Sequence, residues 1–79
     1  MHEDFTLFIG KTNQNRQKSY LVANTTLSAL ELVNAAKKYF RVSSRHIYLH
    51  IGWVVGDDLY LKNPKLEGQR KVYAASFCP

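Results

Sequence analysis

The chain has 79 residues, 46% of them hydrophobic, a net charge of +5 and one cysteine. That length supports one small domain, and the hydrophobic share excludes a disordered chain. No run nears the ~20 apolar residues of a membrane helix.

The polar start Met1-His2-Glu3-Asp4 lacks the basic-then-apolar order of a secretory leader. Cys78 has no second thiol to pair with, so it reads as a free thiol beside the C-terminus. The expectation is a soluble, cytoplasmic protein with no membrane partner. Charge is unevenly placed. From Gly10 to His50 the basic residues are Lys11, Arg16, Lys18, Lys37, Lys38, Arg41 and Arg45, against the single acid Glu31. A basic middle of this kind suits an acidic partner, whether nucleic acid or a protein surface, and serves solubility equally well.

In chain order, Phe5 to Ile9 alternates, with Phe5, Leu7 and Ile9 on one side and Thr6 and Phe8 on the other, which predicts a strand. Gly10 to Gln17 is polar and turn-rich and predicts a loop. Lys18 to Ala23 returns as a second strand, so the pair forms an antiparallel hairpin. Asn24, Thr25 and Thr26 link it to the clearest element of the chain, a helix over Leu27 to Phe40. Its apolar stripe is Ala29, Leu32, Val33, Ala36 and Phe40. Ser28 and Glu31 have the spacing of a capping box, Leu27 and Leu32 that of a hydrophobic staple. Lys37, Lys38 and Arg41 crowd the C-terminal end, where the helix dipole favours cations.

After a connector at Val42-Ser43-Ser44, His46 to Ile51 alternates again. Ile47, Leu49 and Ile51 are expected inside, with His46, Tyr48 and His50 facing the other way. Gly52 is placed to kink or bulge this strand before Trp53-Val54-Val55 continues it. Gly56-Asp57-Asp58 is a turn, Leu59 to Lys62 a strand, and Asn63-Pro64 its break. Leu66 to Gln69 is a further turn, and Lys71 to Phe77 the last strand. The order β-β-α-β-β-β predicts an α+β domain over residues 1–79: a single antiparallel sheet of four to five strands with one helix packed on one face.

Catalytic chemistry finds little support in the residues. Cys78 is terminal, and no Gly-x-Ser-x-Gly turn is present. Asp57-Asp58 follows a glycine between two apolar runs, where turn chemistry accounts for it. Gly10-Lys11-Thr12 matches the end of a phosphate-binding loop but lacks the first glycine of that motif. His46 and His50, ~13 Å apart at strand rise, cannot share a metal ion. No enzyme, cofactor or metal is expected.

The residues that suit binding are Tyr48 with its flanking histidines, joined by Tyr60 and Tyr73 if the strand registers agree. Tyrosines on an open sheet face can stack bases while neighbouring cations neutralise phosphates. An RNA-recognition-motif domain would add a second helix and a glycine-aromatic run, which are not there. Trp53 is the candidate anchor for a protein contact. Lys11, Arg16, Lys18, Lys62, Lys65, Arg70 and Lys71 would form a basic rim if they lie on one edge; Arg45 adds a further cation beside Tyr48.

Two resemblances of plan follow. The β-β-α-β-β order and the helix entry Thr26-Leu27-Ser28-Ala29-Leu30-Glu31-Leu32-Val33 resemble a ubiquitin-type β-grasp over roughly residues 4 to 62. The ending Ser76-Phe77-Cys78-Pro79 lacks the Gly-Gly tail used for conjugation, so that resemblance implies a non-conjugated interaction domain. The short hairpin, the alanine-containing helix Ala29 to Phe40 and the closing meander Ile47 to Phe77 are similar to small phage-encoded inhibitors of the anti-CRISPR type. That resemblance implies a basic, single-domain blocker of a larger complex.

The functional expectation is therefore a non-enzymatic protein-binding module acting as an inhibitor or regulator. Its alternatives are a small basic nucleic-acid-binding protein and a ubiquitin-like interaction domain. The partner residues are those just named, and the oligomeric state stays open, a homodimer included.

Overall fold

A computed structural model of the chain describes residues 4–11, 17–25 and 28–77. The elements are β1 (Phe5–Lys11), β2 (Gln17–Ala23), α1 (Ala29–Phe40), a 3-10 turn (Ser44–His46), β3 (Ile47–Val55), β4 (Asp58–Tyr60) and β5 (Arg70–Phe77). The strands make one antiparallel sheet in the order β1-β2-β5-β3-β4, with α1 packed on one face. This is the α+β architecture expected from the alternation of periods.

Ser28 caps α1. Its Oγ accepts from the Glu31 N–H at 3.2 Å and donates to the Glu31 carboxylate at 3.2 Å. Glu31 thus bonds the cap hydroxyl, not the cap amide of the reciprocal capping box. The expected Leu27 staple lies outside the described residues. Arg41 closes the helix in the left-handed region (φ 58°), returning its N–H to the Lys37 carbonyl.

Leu32 and Ala36 are fully buried against Leu21, Ala23 and Ala75, with Phe5, Phe40 and Ile47 around them. This is the convex face of the sheet. Phe40 stacks on Phe77 at the end of β5, ring centroids 4.7 Å apart.

The face away from the helix is not the open, tyrosine-bearing surface considered for it. Tyr20, Val22, Val54, Val72 and Ala74 form a second core there, joined by Phe8 of β1 and Leu59 of β4. Because Phe8 and Leu59 come from opposite edges of the sheet, the sheet must curl to bring both onto one cluster. The expected assignment of inside and outside on β3 is corrected accordingly. Ile47 packs beneath α1, but Leu49 and Ile51 on the same face are exposed, while Val54 on the His50 side is buried.

Gly52 does not bulge β3, for it stays in register opposite Val72. It lies instead close against β4: a Cβ there would stand 2.9 Å from Leu59 Cδ1 and 3.2 Å from the Tyr60 carbonyl oxygen. Glycine avoids that crowding.

The hairpin ladder reaches Lys11↔Gln17, so the strands extend further into the polar stretch than side-chain patterning suggests. Ladder bonds are made by backbone and do not need apolar side chains. His46 lies in the 3-10 turn and is not part of the strand that follows.

Candidate functional site

Alternation of direction sorts the charges. β1 and β5 finish, β2 and β3 begin, and α1 finishes at one end of the sheet. That end collects Lys18 on β2, Lys37 and Lys38 in the last turn of α1, Arg41 at its cap, and Arg45 and His46 in the 3-10 turn. Lys11 ends β1 there as well.

The acids fall elsewhere. Asp4 precedes β1, Glu31 is in the first turn of α1, Asp57 is in the β3–β4 turn, Asp58 begins β4, and Glu67 is in the turn leading to β5. Among the described residues, then, one end of the sheet carries cations without a single carboxylate side chain.

Just inside this end, on the concave face, the middle of β5 is small: Ala74 and Ser76. Side chains of β2 and β3 therefore meet across it. Lys18 Nζ sits 5.8 Å from the centroid of the Tyr48 ring, within cation–π range. Tyr20 and His50 meet edge to face, centroids 5.5 Å apart. The His50 Nε2 and Ser76 Oγ atoms are hydrogen-bonded at 2.7 Å. Burial, and secondarily the Lys18 charge, lowers the His50 pKa, which favours the neutral ring. Burial likewise raises the Tyr20 phenol.

A serine bonded to a histidine is the geometry of a nucleophile and its base. Ser76 is, however, 0% exposed, so its oxygen is closed to a substrate in this conformation. The pair ties β3 to β5 and satisfies two polar groups that would otherwise be costly to bury. No group of three or more His, Cys, Asp or Glu side chains among the described residues is placed to hold a metal ion.

Tyr48 differs from its neighbours in being 49% exposed at the mouth of the curl. Arg45, three residues earlier, is exposed; its Nε donates to His46 Nε2 at 3.3 Å.

The candidates named from the sequence divide between sites. Lys11, Lys18, Arg45 and Tyr48 come together at the cationic end. Arg70 and Lys71 begin β5 at the opposite end, and Lys62 and Lys65 lie in the connector between β4 and β5, so the described candidates do not share one basic rim. Arg16 lies outside the described residues. Trp53 is half-buried on the convex face, opposite Tyr60 and Lys71.

Tyr60 and Tyr73 do not join Tyr48. Tyr60 pairs with Trp53 and Tyr73 with Ile51, which sets both on the convex face. Sequence reasoning counted Lys37, Lys38 and Arg41 in the basic middle and at the helix C-terminus but did not place them among the site residues, and so missed their part in the cationic end. The signal available was chain direction: α1 runs back toward the end where β2 begins. No protein family, curated protein or solved structure matches the chain.

Proposed function

We propose that the protein is a non-catalytic binding domain that holds a single-stranded nucleic acid at its cationic end. The observation that carries this reading is the segregation of Lys18, Lys37, Lys38, Arg41 and Arg45 from every described acidic side chain. A field of one sign attracts a polyanion and holds it through release of its counterions. Tyr48 supplies the second element, an exposed aromatic ring at the edge of that field with Lys18 beside it. A base stacked on such a ring gains about 1–3 kcal/mol, and only an unpaired base offers its face.

The test is fluorescence polarisation of a labelled oligothymidylate of about ten nucleotides, titrated at several salt concentrations, with duplex DNA and polyglutamate as competitors. The expected result is preference for the single strand, with each neutralised phosphate contributing about −0.7 to the log–log salt slope. Lys18→Gln and Arg45→Gln should each flatten that slope, while Tyr48→Ala should weaken binding at every salt concentration. Equal competition by polyglutamate would replace nucleic acid with an acidic protein as the partner. A slope indifferent to Lys18 and Arg45 would remove the site altogether.

A further inference from the structure

A second surface, independent of the cationic end, lies where β2 leaves the sheet. β3 pairs with β5 from Ile47↔Phe77 to Val54↔Arg70, but the β2–β5 ladder consists of Leu21↔Ala75 and Val22↔Ala74. Among the described residues, Arg70–Tyr73 of β5 therefore have a registered strand on the β3 side alone.

The cause is local. At the end of β2 the Asn24 N–H donates to the Asp4 carbonyl at 2.7 Å, and Thr6 Oγ1 donates to Asn24 Oδ1 at 2.8 Å. These bonds hold the departing chain to β1, while β5 continues straight on. The gap is a cleft of about 440 Å³ whose walls include Ala23, Thr25, Ile51, Arg70, Lys71 and Tyr73. That volume lies within the usual range of ligand pockets.

We infer that this cleft receives an extended acidic peptide segment of a partner protein, added as a strand along Arg70–Tyr73. In an antiparallel ladder alternate residues direct both N–H and C=O to the same side. Part of this β5 backbone is therefore aimed into the gap that β2 vacates, which is the requirement for recognition by strand addition.

Charge and register specify the segment further. Arg70 shares the concave face with Val72, and Lys71 the convex face with Tyr73. A strand running in the direction of β2 would meet Tyr73, Val72, Lys71 and Arg70 in that order. Its residues opposite Tyr73 and Val72 are apolar, the first packing on the Tyr73 ring. Its next two are acidic, one answering Lys71 on the convex side and the other Arg70 on the concave side. Among the described residues, no acidic side chain lines the cleft to compete for these cations.

The experiment is selection of a displayed random library of peptides about ten residues long against the full chain. A synthetic copy of an enriched sequence is then followed by amide hydrogen exchange. The expected enrichment is two apolar residues followed by two acidic ones, with new protection of amides within Arg70–Tyr73. The double variant R70E/K71E should bind that peptide at least about tenfold more weakly, and a copy with lysines for its acidic pair should restore affinity.

Retained thermal unfolding by the variant separates a lost site from a lost fold. Because that control involves no nucleic acid, the test is independent of the nucleic-acid reading. Enrichment without an acidic pair, protection along β1 instead of β5, failure of the charge swap, or complete displacement of the peptide by inorganic phosphate would each overturn the inference.

Discussion

On the convex face of the sheet, Leu21, Ala23 and Ala75 are sealed by Leu32 and Ala36 of the helix; on the concave face, Tyr20, Val22, Val54, Val72 and Ala74 are sealed by the sheet's own curvature. The first core is built from an amphipathic element whose stripe is continuous in sequence. The second is built from alternate residues of several strands, and it closes only because β4 can approach over Gly52 while Phe8 comes round from the other edge. In so small a domain a sheet can build a core on each of its faces with one helix, and the curled face leaves Tyr48 exposed beside Lys18.

The convex core should be the more sensitive to truncation. Leu32 is 0% exposed and is the largest fully buried side chain among the described residues. Leu32→Ala should cost about 2–5 kcal/mol, a loss read as a fall in the urea midpoint. Leu32→Asp should abolish the cooperative transition, since a buried charge would have no partner. Val33, on the same stripe but half-buried, should tolerate truncation better. Equal losses at Leu32 and Val33 would mean the helix is seated with a different face on the sheet.

The concave core is tested at Gly52. A methyl group there meets the Tyr60 carbonyl oxygen at 3.2 Å as well as the end of the Leu59 side chain, and a backbone atom cannot swing aside. Gly52→Ala should therefore cost about 1–3 kcal/mol. Adding Leu59→Ala should relieve the side-chain contact but not the carbonyl contact, so the double variant should remain below Leu59→Ala alone. A stable Gly52→Ala protein would show that β4 can stand off from β3 and that curvature does not depend on this approach.

These contrasts explain what the sequence made legible. The helix was readable because its signals, Ser28 with Glu31 and the Leu32–Ala36 stripe, lie within one short segment. Strands and their order were readable from alternation, and Gly56-Asp57 is the two-residue turn that joins β3 to β4 at Val55↔Asp58. Register across distant strands was not. The faces of Tyr60 and Tyr73 depend on pairing with Trp53 and Ile51, which no local pattern states.

The cationic end combined residues already visible one by one, and needed only the direction of each element to assemble them. The alternation His46-Tyr48-His50 reads as solvent-facing because its residues are polar. Polar groups can be buried when they satisfy one another, and His50 with Ser76 does so.

That pair gives the concave face a pH response. Burial, reinforced by Lys18, sets the folded pKa of His50 below its ordinary value of 6.5. Above 6.5 the ring is neutral in both the folded and unfolded chains, and its contribution to stability is fully present. As pH falls below 6.5 the unfolded chain takes up a proton that the folded chain resists, so stability declines until the lowered folded pKa is reached.

The urea midpoint should therefore drop through this window in the native chain. His50→Asn, less stable at neutral pH, should show a shallower drop, with the difference between the two curves isolating His50 from other titrating groups. An NMR titration of the His50 ring reads the same quantity directly, and Lys18→Gln should move its pKa back toward 6.5. A His50 that titrates at or above 6.5 in the folded chain would place the ring in water. The concave face would then be a solvated surface and not a second core.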